Sequence, residues 1–173
     1  MKFVFTWMIA VVCFTQLSAQ KIYATRNGKI SFTSPSDGDI QAINNEVASR
    51  IADNGQLTFS LLIKGFKFKL AEMQEHFNDQ YLESIKFPRA DFKGNIVNLN
   101  EVDFTKDGSY KISVKGDLTM HGVTKNIVVN GTLEMKAGKP VANAKFIVLM
   151  KDFNINAGSV TDKVMIDISC QYQ

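Results

Sequence analysis

The stretch Lys115-Gly116-Asp117-Leu118-Thr119-Met120-His121-Gly122-Val123-Thr124-Lys125 joins two runs of alternating apolar and polar residues, and its reading decides the fold. Upstream of the junction, Tyr110, Ile112, Val114, Gly116 and Leu118 alternate with Lys111, Ser113, Lys115, Asp117 and Thr119. That period of two is what a half-buried antiparallel strand requires. Downstream, Ile127, Val129, Leu133 and Met135 keep one phase between Val123 and Lys136. His121-Gly122 is therefore expected to reverse the chain between two paired strands, with glycine supplying positive φ at no steric cost.

The same signature extends in both directions. Ala137-Gly138-Lys139-Pro140 predicts a turn into a strand with Ala142, Ala144, Phe146, Val148 and Met150 on one face, and Val160 to Tyr172 places Val164, Ile166, Ile168, Cys170 and Tyr172 together. Towards the N-terminus, Asp107-Gly108 is a turn, and Arg89 to Leu99 alternates with Ala90, Phe92, Gly94 and Ile96 in phase. In Gln56 to Leu70 the residues Leu57, Phe59, Leu61 and Ile63 share a face, and a change of phase across Gly65 indicates a bulge or bend. Ile40 to Ala52 has no clean period and reads better as a long, partly exposed strand than as a short helix. Lys21 to Thr25 and Lys29 to Ser34 flank Arg26-Asn27-Gly28, which predicts a hairpin. The three prolines, Pro35, Pro88 and Pro140, fall at turns or strand starts, where no ladder donor is lost. Eight or nine strands joined by tight turns imply an antiparallel sheet, and closure into a barrel removes its edges.

One segment breaks the pattern. Leu70, Met73, Phe77 and Tyr81 recur at three- and four-residue steps among Glu72, Gln74, Glu75, Asp79 and Gln80, the spacing of an amphipathic helix with one apolar stripe. Such a stripe either caps the core or forms a lid over a cavity.

Residues 1–19 read as a removable secretory signal: Lys2, an apolar block from Phe3 to Phe14, and a small-residue end at Ala19. The block is shorter than the ~20 residues of a membrane span. Removing 19 of the 173 residues leaves 154, one domain (20–173), with 19 Lys+Arg against 17 Asp+Glu. A balance so near neutral, with the cations scattered along strands, points away from nucleic acid. Cys170 is then the sole cysteine and forms no internal disulfide. His76, His121 and Cys170 are the only residues of their kinds in the mature chain. No nucleophile–base–orienter set, metal-ligand spacing or phosphate loop is present, so neither catalytic residues, nor a metal, nor a cofactor is expected.

What remains is the barrel interior. An eight-stranded barrel is either filled by its own side chains or holds one slender ligand. Gly94, Gly116, Ala90, Ala142 and Ala144 point inward among larger residues and predict free space. The expected tunnel wall is Phe59, Leu61, Ile63, Phe92, Ile112, Val114, Phe146, Val148, Ile166 and Ile168. An acyl or isoprenoid chain buried there would gain about 0.8 kcal/mol per CH₂. The alternative is a solid core in a structural or protein-interaction module of the envelope or of a stress response.

The segment Gly116 to Lys125 closely resembles the strand–turn–strand hallmark of the YceI-like family of exported lipid-binding proteins. Met73, His76-Phe77-Asn78, Tyr81, Ser84, Pro88, Phe92 and Gly94 resemble the shorter central segment of its Bacteroidetes-type branch. Gln74-Glu75 stand where the best-characterised branch commonly carries Arg-Asp. The resemblance implies an all-β, lipocalin-like, eight-stranded antiparallel barrel with a short helical excursion, and a non-enzymatic protein holding a polyisoprenoid or fatty acid. Met73, His76, Phe77, Tyr81 and His121 would lie at the lid or mouth. It implies a periplasmic or secreted location in the bacterial cell envelope. The expected partner is the lipophilic molecule and, at most, a second copy of the chain in a homodimer, without nucleic acid or stable membrane insertion.

Overall fold

The computed structural model describes residues 20–35, 40–156 and 162–173. The expected signal segment, all but the first residue of the turn expected over Pro35 to Asp39, and the first two residues of the expected last strand, Val160 and Thr161, lie outside them. The strands are β1 (Ile22–Thr33), β2 (Gln41–Ala52), β3 (Gln56–Leu62), β4 (Lys67–Phe68), β5 (Arg89–Ile96), β6 (Gly108–Met120), β7 (Val123–Lys136), β8 (Lys139–Leu149) and β9 (Lys163–Gln171). Their order is β1-β9-β8-β7-β6-β5-β3-β2, and β1 pairs with β2 to close an eight-stranded antiparallel barrel. The two-residue β4 splints the end of β2 through Ala42↔Phe68 and Ile43↔Lys67.

Turn chemistry fixes the long hairpins. His121 (φ 51°) with Gly122 (φ 74°), and Ala137 (φ 49°) with Gly138 (φ 73°), both take the left-handed pair whose twist matches flanking strands. Asp107 secures the second turn from the neighbouring loop, accepting the Ala137 and Gly138 backbone N–H groups at 3.0 and 3.4 Å.

Two expectations change at the N-terminal end. Arg26-Asn27-Gly28 is not a hairpin turn. Both flanking runs pair with the same strand, Ile22–Thr25 with Ser49–Ala52 and Ile30–Thr33 with Gln41–Asn44, so β1 is continuous and carries a bulge at this tripeptide. Gly28 is selected by packing, since a Cβ there would sit 2.7 Å from Cys170 Sγ. β2 is a strand, and its missing period has a physical cause. Its inward positions run Ala42 and Asn44, then change phase across Asn45-Glu46 to Val47, Ser49 and Ile51, so polar residues stand among the inward ones and the alternation slips once.

The helical excursion is α1 (Ala71–His76) continued by a π-helical turn over Phe77–Tyr81. Gln74 stitches it to the barrel end, accepting the Phe68 N–H at 3.2 Å and donating to the Phe66 carbonyl at 2.7 Å. Phe77 packs against Phe32, Phe66 and Phe68 with ring centroids 5.4, 5.5 and 5.0 Å away. Phe77 of the apolar stripe thus plugs this end of the barrel, while Leu70 at the start of the stripe stays exposed. The phase change at Gly65 is a 3₁₀ turn over Ile63–Gly65, held against the fully buried Asn44.

One seam is incomplete. β7 and β8 pair only from Gly131↔Ala144 to Lys136↔Lys139, although β7 begins at Val123 and β8 runs to Leu149.

Candidate functional site: the barrel interior

Period-two patterning sends alternate side chains of every strand inward, and they enclose a cavity of about 380 Å³. The barrel is therefore hollow. β3 and its following turn contribute Leu57, Phe59, Leu61 and Ile63; β5 gives Ala90 and Phe92; β6 gives Ile112, Val114 and Leu118. β7 supplies Ile127 and Val129, β8 Ala142, Ala144, Phe146 and Val148, and β9 Val164, Ile166 and Ile168. All ten residues expected on the tunnel wall are brought together there. Met73, His76, Phe77 and Tyr81 cover the same cavity from the helical excursion.

Small-residue reasoning holds at Ala90, Ala142 and Ala144, which are on the wall, and fails at Gly94 and Gly116, which are not. Those two glycines face each other across β5 and β6. A Cβ on Gly116 would lie 2.3 Å from the Lys93 carbonyl oxygen and 2.7 Å from the Phe92 ring, so the space is already filled by backbone and ring.

His121 also stands apart from the wall. Its side chain is only 10% exposed, and both ring nitrogens face acceptors: the Phe153 carbonyl oxygen 3.1 Å from Nδ1 and Glu83 Oε2 2.9 Å from Nε2. The Phe87 ring packs edge-on at 4.5 Å between centroids. The residue ties the β6–β7 turn to the segment after the excursion and to the β8–β9 connection, a structural place off the cavity wall.

A polar group on the wall escapes sequence patterning. Ser49 donates to the Thr58 carbonyl at 2.8 Å, which leaves the Tyr172 hydroxyl to donate to Ser49 Oγ at 2.9 Å. Burial pushes the Tyr172 phenol well above its ordinary range and the neighbouring Cys170 thiol up to about 11. The inward phase of Tyr172 in the last strand was the one available signal, since the segment that holds Ser49 has no clean period. Among the described residues no group of three or more His, Cys, Asp or Glu side chains is placed to hold a metal ion, and no helix is long and apolar enough to cross a membrane.

A UPF0312 protein of Pseudomonas savastanoi pv. phaseolicola is 30% identical over 107 residues, covering 57% of this chain and 52% of that protein, and one from Pseudomonas syringae pv. syringae matches to the same extent. The chain thus spans about half the length of these relatives. A polyisoprenoid-binding domain from Saccharophagus degradans, implicated in plant cell wall breakdown, superposes with a TM-score of 0.76 at 11% identity, over 88% of this chain and 97% of that one. BcnA of Burkholderia cenocepacia gives 0.64 at 15% identity, over 84% and 96%. The YceI protein of Campylobacter jejuni gives 0.56 at 16%, over 96% and 91%. These structures share the fold, and the YceI-like domain itself matches residues 17–172. The chain belongs to the YceI-like domain family.

Proposed function

We propose that the protein is an exported, non-enzymatic carrier that holds a single lipophilic chain, isoprenoid or fatty-acyl, inside the barrel and works in the bacterial envelope. The observation that carries this reading is an apolar cavity of about 380 Å³, a size within the range of ligand sites. On the scaling of ~24 cal/mol per Å³ measured for core cavities, leaving such a void empty forgoes on the order of 9 kcal/mol of packing. That is comparable to the whole stability of a typical domain. A fold that keeps so large a defect has an occupant in view.

The ligand class follows from the wall. Hydrophobic side chains dominate it, so the part enclosed is hydrocarbon and any head group sits elsewhere. A polyisoprenoid-binding domain among the structural neighbours supports the same class. Burying about 16 carbons at ~0.8 kcal/mol each contributes ~13 kcal/mol. Subtracting ~4 kcal/mol for lost translation and rotation leaves a dissociation constant near or just below micromolar. In this reading Phe59, Leu61, Ile63, Phe92, Ile112, Val114, Phe146, Val148, Ile166 and Ile168 grip the chain. Met73, His76, Phe77 and Tyr81 close one end, and His121 holds that closure in place.

Native mass spectrometry of gently purified protein, with organic extraction of what it carries, tests the proposal. A bound lipid, and uptake of a fluorescent fatty acid that Phe146→Trp diminishes, are the expected results. Protein that carries nothing and takes up no fatty acid would sink it.

A further inference from the structure

Continuing the β7–β8 register beyond Gly131↔Ala144 would set Val129 against Phe146, Val128 against Ile147 and Ile127 against Val148, yet none of these pairs forms. Along this length β7 and β8 share no ladder, and we read the unpaired seam as a slot in the barrel wall. It is pinned at both ends. At one, β7 and β8 approach so closely that a Cβ on Gly131 would lie 2.4 Å from the Asn143 carbonyl oxygen. At the other, His121 Nδ1 bridges to the Phe153 carbonyl oxygen at 3.1 Å.

At the middle of the seam the two lips are apolar on both faces, with exposed Asn126, Asn130 and Lys145 flanking it. Ile127, Val129, Phe146 and Val148 face in and belong to the cavity wall. Val128 and Ile147 face out and are 57% and 52% exposed, where the outward positions of a barrel strand are ordinarily polar. The side chains between solvent and cavity at this point are therefore apolar. The end of the barrel nearest the slot is, in contrast, plugged by Phe77 against Phe32, Phe66 and Phe68.

We propose that the β7–β8 slot is the lateral portal through which one hydrocarbon chain enters and leaves the cavity. The inference rests on the carrier reading above and adds its route. A chain sliding in sideways passes between the apolar side chains of Val128 and Ile147 to those of Ile127, Val129, Phe146 and Val148, and disturbs no strand pairing, since β7 and β8 share none there. End-on entry past Phe77 would have to part the aromatic plug. The unpaired N–H and C=O groups of the lips stay hydrated while the slot is empty, which makes passage transient and the cavity the resting place of the chain.

Locking the slot tests the portal. In the continued register Val128 and Ile147 stand opposite each other, so Val128→Cys with Ile147→Cys gives a pair that oxidation joins when the lips close. Cys170, 1% exposed, is left in place. The probe is 11-(dansylamino)undecanoic acid, followed by stopped-flow fluorescence. The oxidised double variant is expected to load at least tenfold more slowly than its reduced form, with the rate restored by reductant. An oxidised form that loads as fast as the reduced one overturns the portal. Should the disulfide not form, Val128→Arg and Ile147→Arg decide the matter beside Val97→Arg, at an exposed apolar residue outside both cavity and slot. Slower loading by the first two at unchanged capacity supports the portal, and equal rates in all three overturn it. Wild-type protein that never loads removes the carrier reading, and the portal with it. Wild type that loads no faster than the locked form removes the portal alone.

Discussion

His121 Nε2 lies 2.9 Å from Glu83 Oε2, and this contact joins two residues that both hold left-handed backbone without being glycine. Glu83 has φ 42° and His121 φ 51°, and Asn154 at φ 56° follows the Phe153 whose carbonyl faces the other ring nitrogen. Three strained corners, from the segment after the excursion, the β6–β7 turn and the β8–β9 connection, therefore meet around one imidazole. Such backbone persists only where surrounding contacts over-determine it.

Two substitutions separate the turn from the tie. His121→Asn retains a residue that tolerates left-handed φ but cannot span both acceptors, and a loss of about 1–3 kcal/mol is expected from the broken contacts. His121→Ala should be worse, because a left-handed alanine adds strain. Urea unfolding gives the ranking. A His121→Asn protein as stable as wild type would remove the imidazole's structural role.

The Gly94–Gly116 pair makes a second prediction. Phe92 covers both glycines from within the barrel, and a Cβ on Gly116 meets the Lys93 carbonyl oxygen and the Gly94 Cα at 2.3 and 2.5 Å, both backbone atoms that cannot swing aside. Gly116→Ala is expected to cost on the order of 2 kcal/mol through overpacking. Phe92→Ala should cost about 3–5 kcal/mol in lost ring contacts, yet leave ligand capacity intact or enlarged because the cavity grows. Thermal unfolding and fatty-acid titration of both variants check the pair. Loss of binding without loss of stability in Gly116→Ala would show that the glycine is part of the cavity after all.

How much of this was legible in the sequence depends on what each residue had to signal. The strands β5 to β9 and the wall they form were readable, because one phase of large apolar residues faces one common interior. The hollow was only half readable. Ala142 and Ala144 vacate space, whereas Gly94 and Gly116 vacate none, and a sequence does not say that a ring two residues away folds over them. Arg26-Asn27-Gly28 misled for a related reason: a turn and a bulge want the same residues, and the choice is made by a distant strand, β2, which pairs with both flanks. The β7–β8 slot left only a faint mark, the short apolar runs Ile127-Val128-Val129 and Phe146-Ile147-Val148 in which the polar alternation lapses, and such runs do not say that two strands stay unpaired.

Asn44 shows the same limit and yields a third prediction. It has no solvent exposure, donates to the Leu62 carbonyl at 3.0 Å and accepts the Glu46 N–H at 2.8 Å, fastening the phase change of β2 to the end of β3. Asn44→Ala removes the partner of two part-buried backbone groups and leaves a gap where the amide packed, for a combined loss of roughly 1–3 kcal/mol. The expected signs are a clear fall in the urea midpoint and faster amide exchange at Glu46. Unchanged exchange there would mean that the bulge holds itself.

Alkaline pH provides the last prediction. Burial raises the Cys170 thiol from 9.0 to about 11, so the folded state keeps this proton after the unfolded chain has lost it. Stability from this group is complete below about pH 9 and drains away as pH rises through about 11. At 1.36 kcal/mol per pKa unit the full loss is about 2–3 kcal/mol. Tyr172, also raised above its ordinary 10.0 chiefly by burial, acts in the same direction and carries the decline to higher pH. Urea unfolding at pH 8, 9.5 and 11 should show wild type weakening across the range while Cys170→Ala loses distinctly less. Tyr172→Phe should soften the steepest part, at the expense of the donor to Ser49. Parallel curves for wild type and Cys170→Ala would mean that water reaches the thiol, and with it this stretch of the cavity wall.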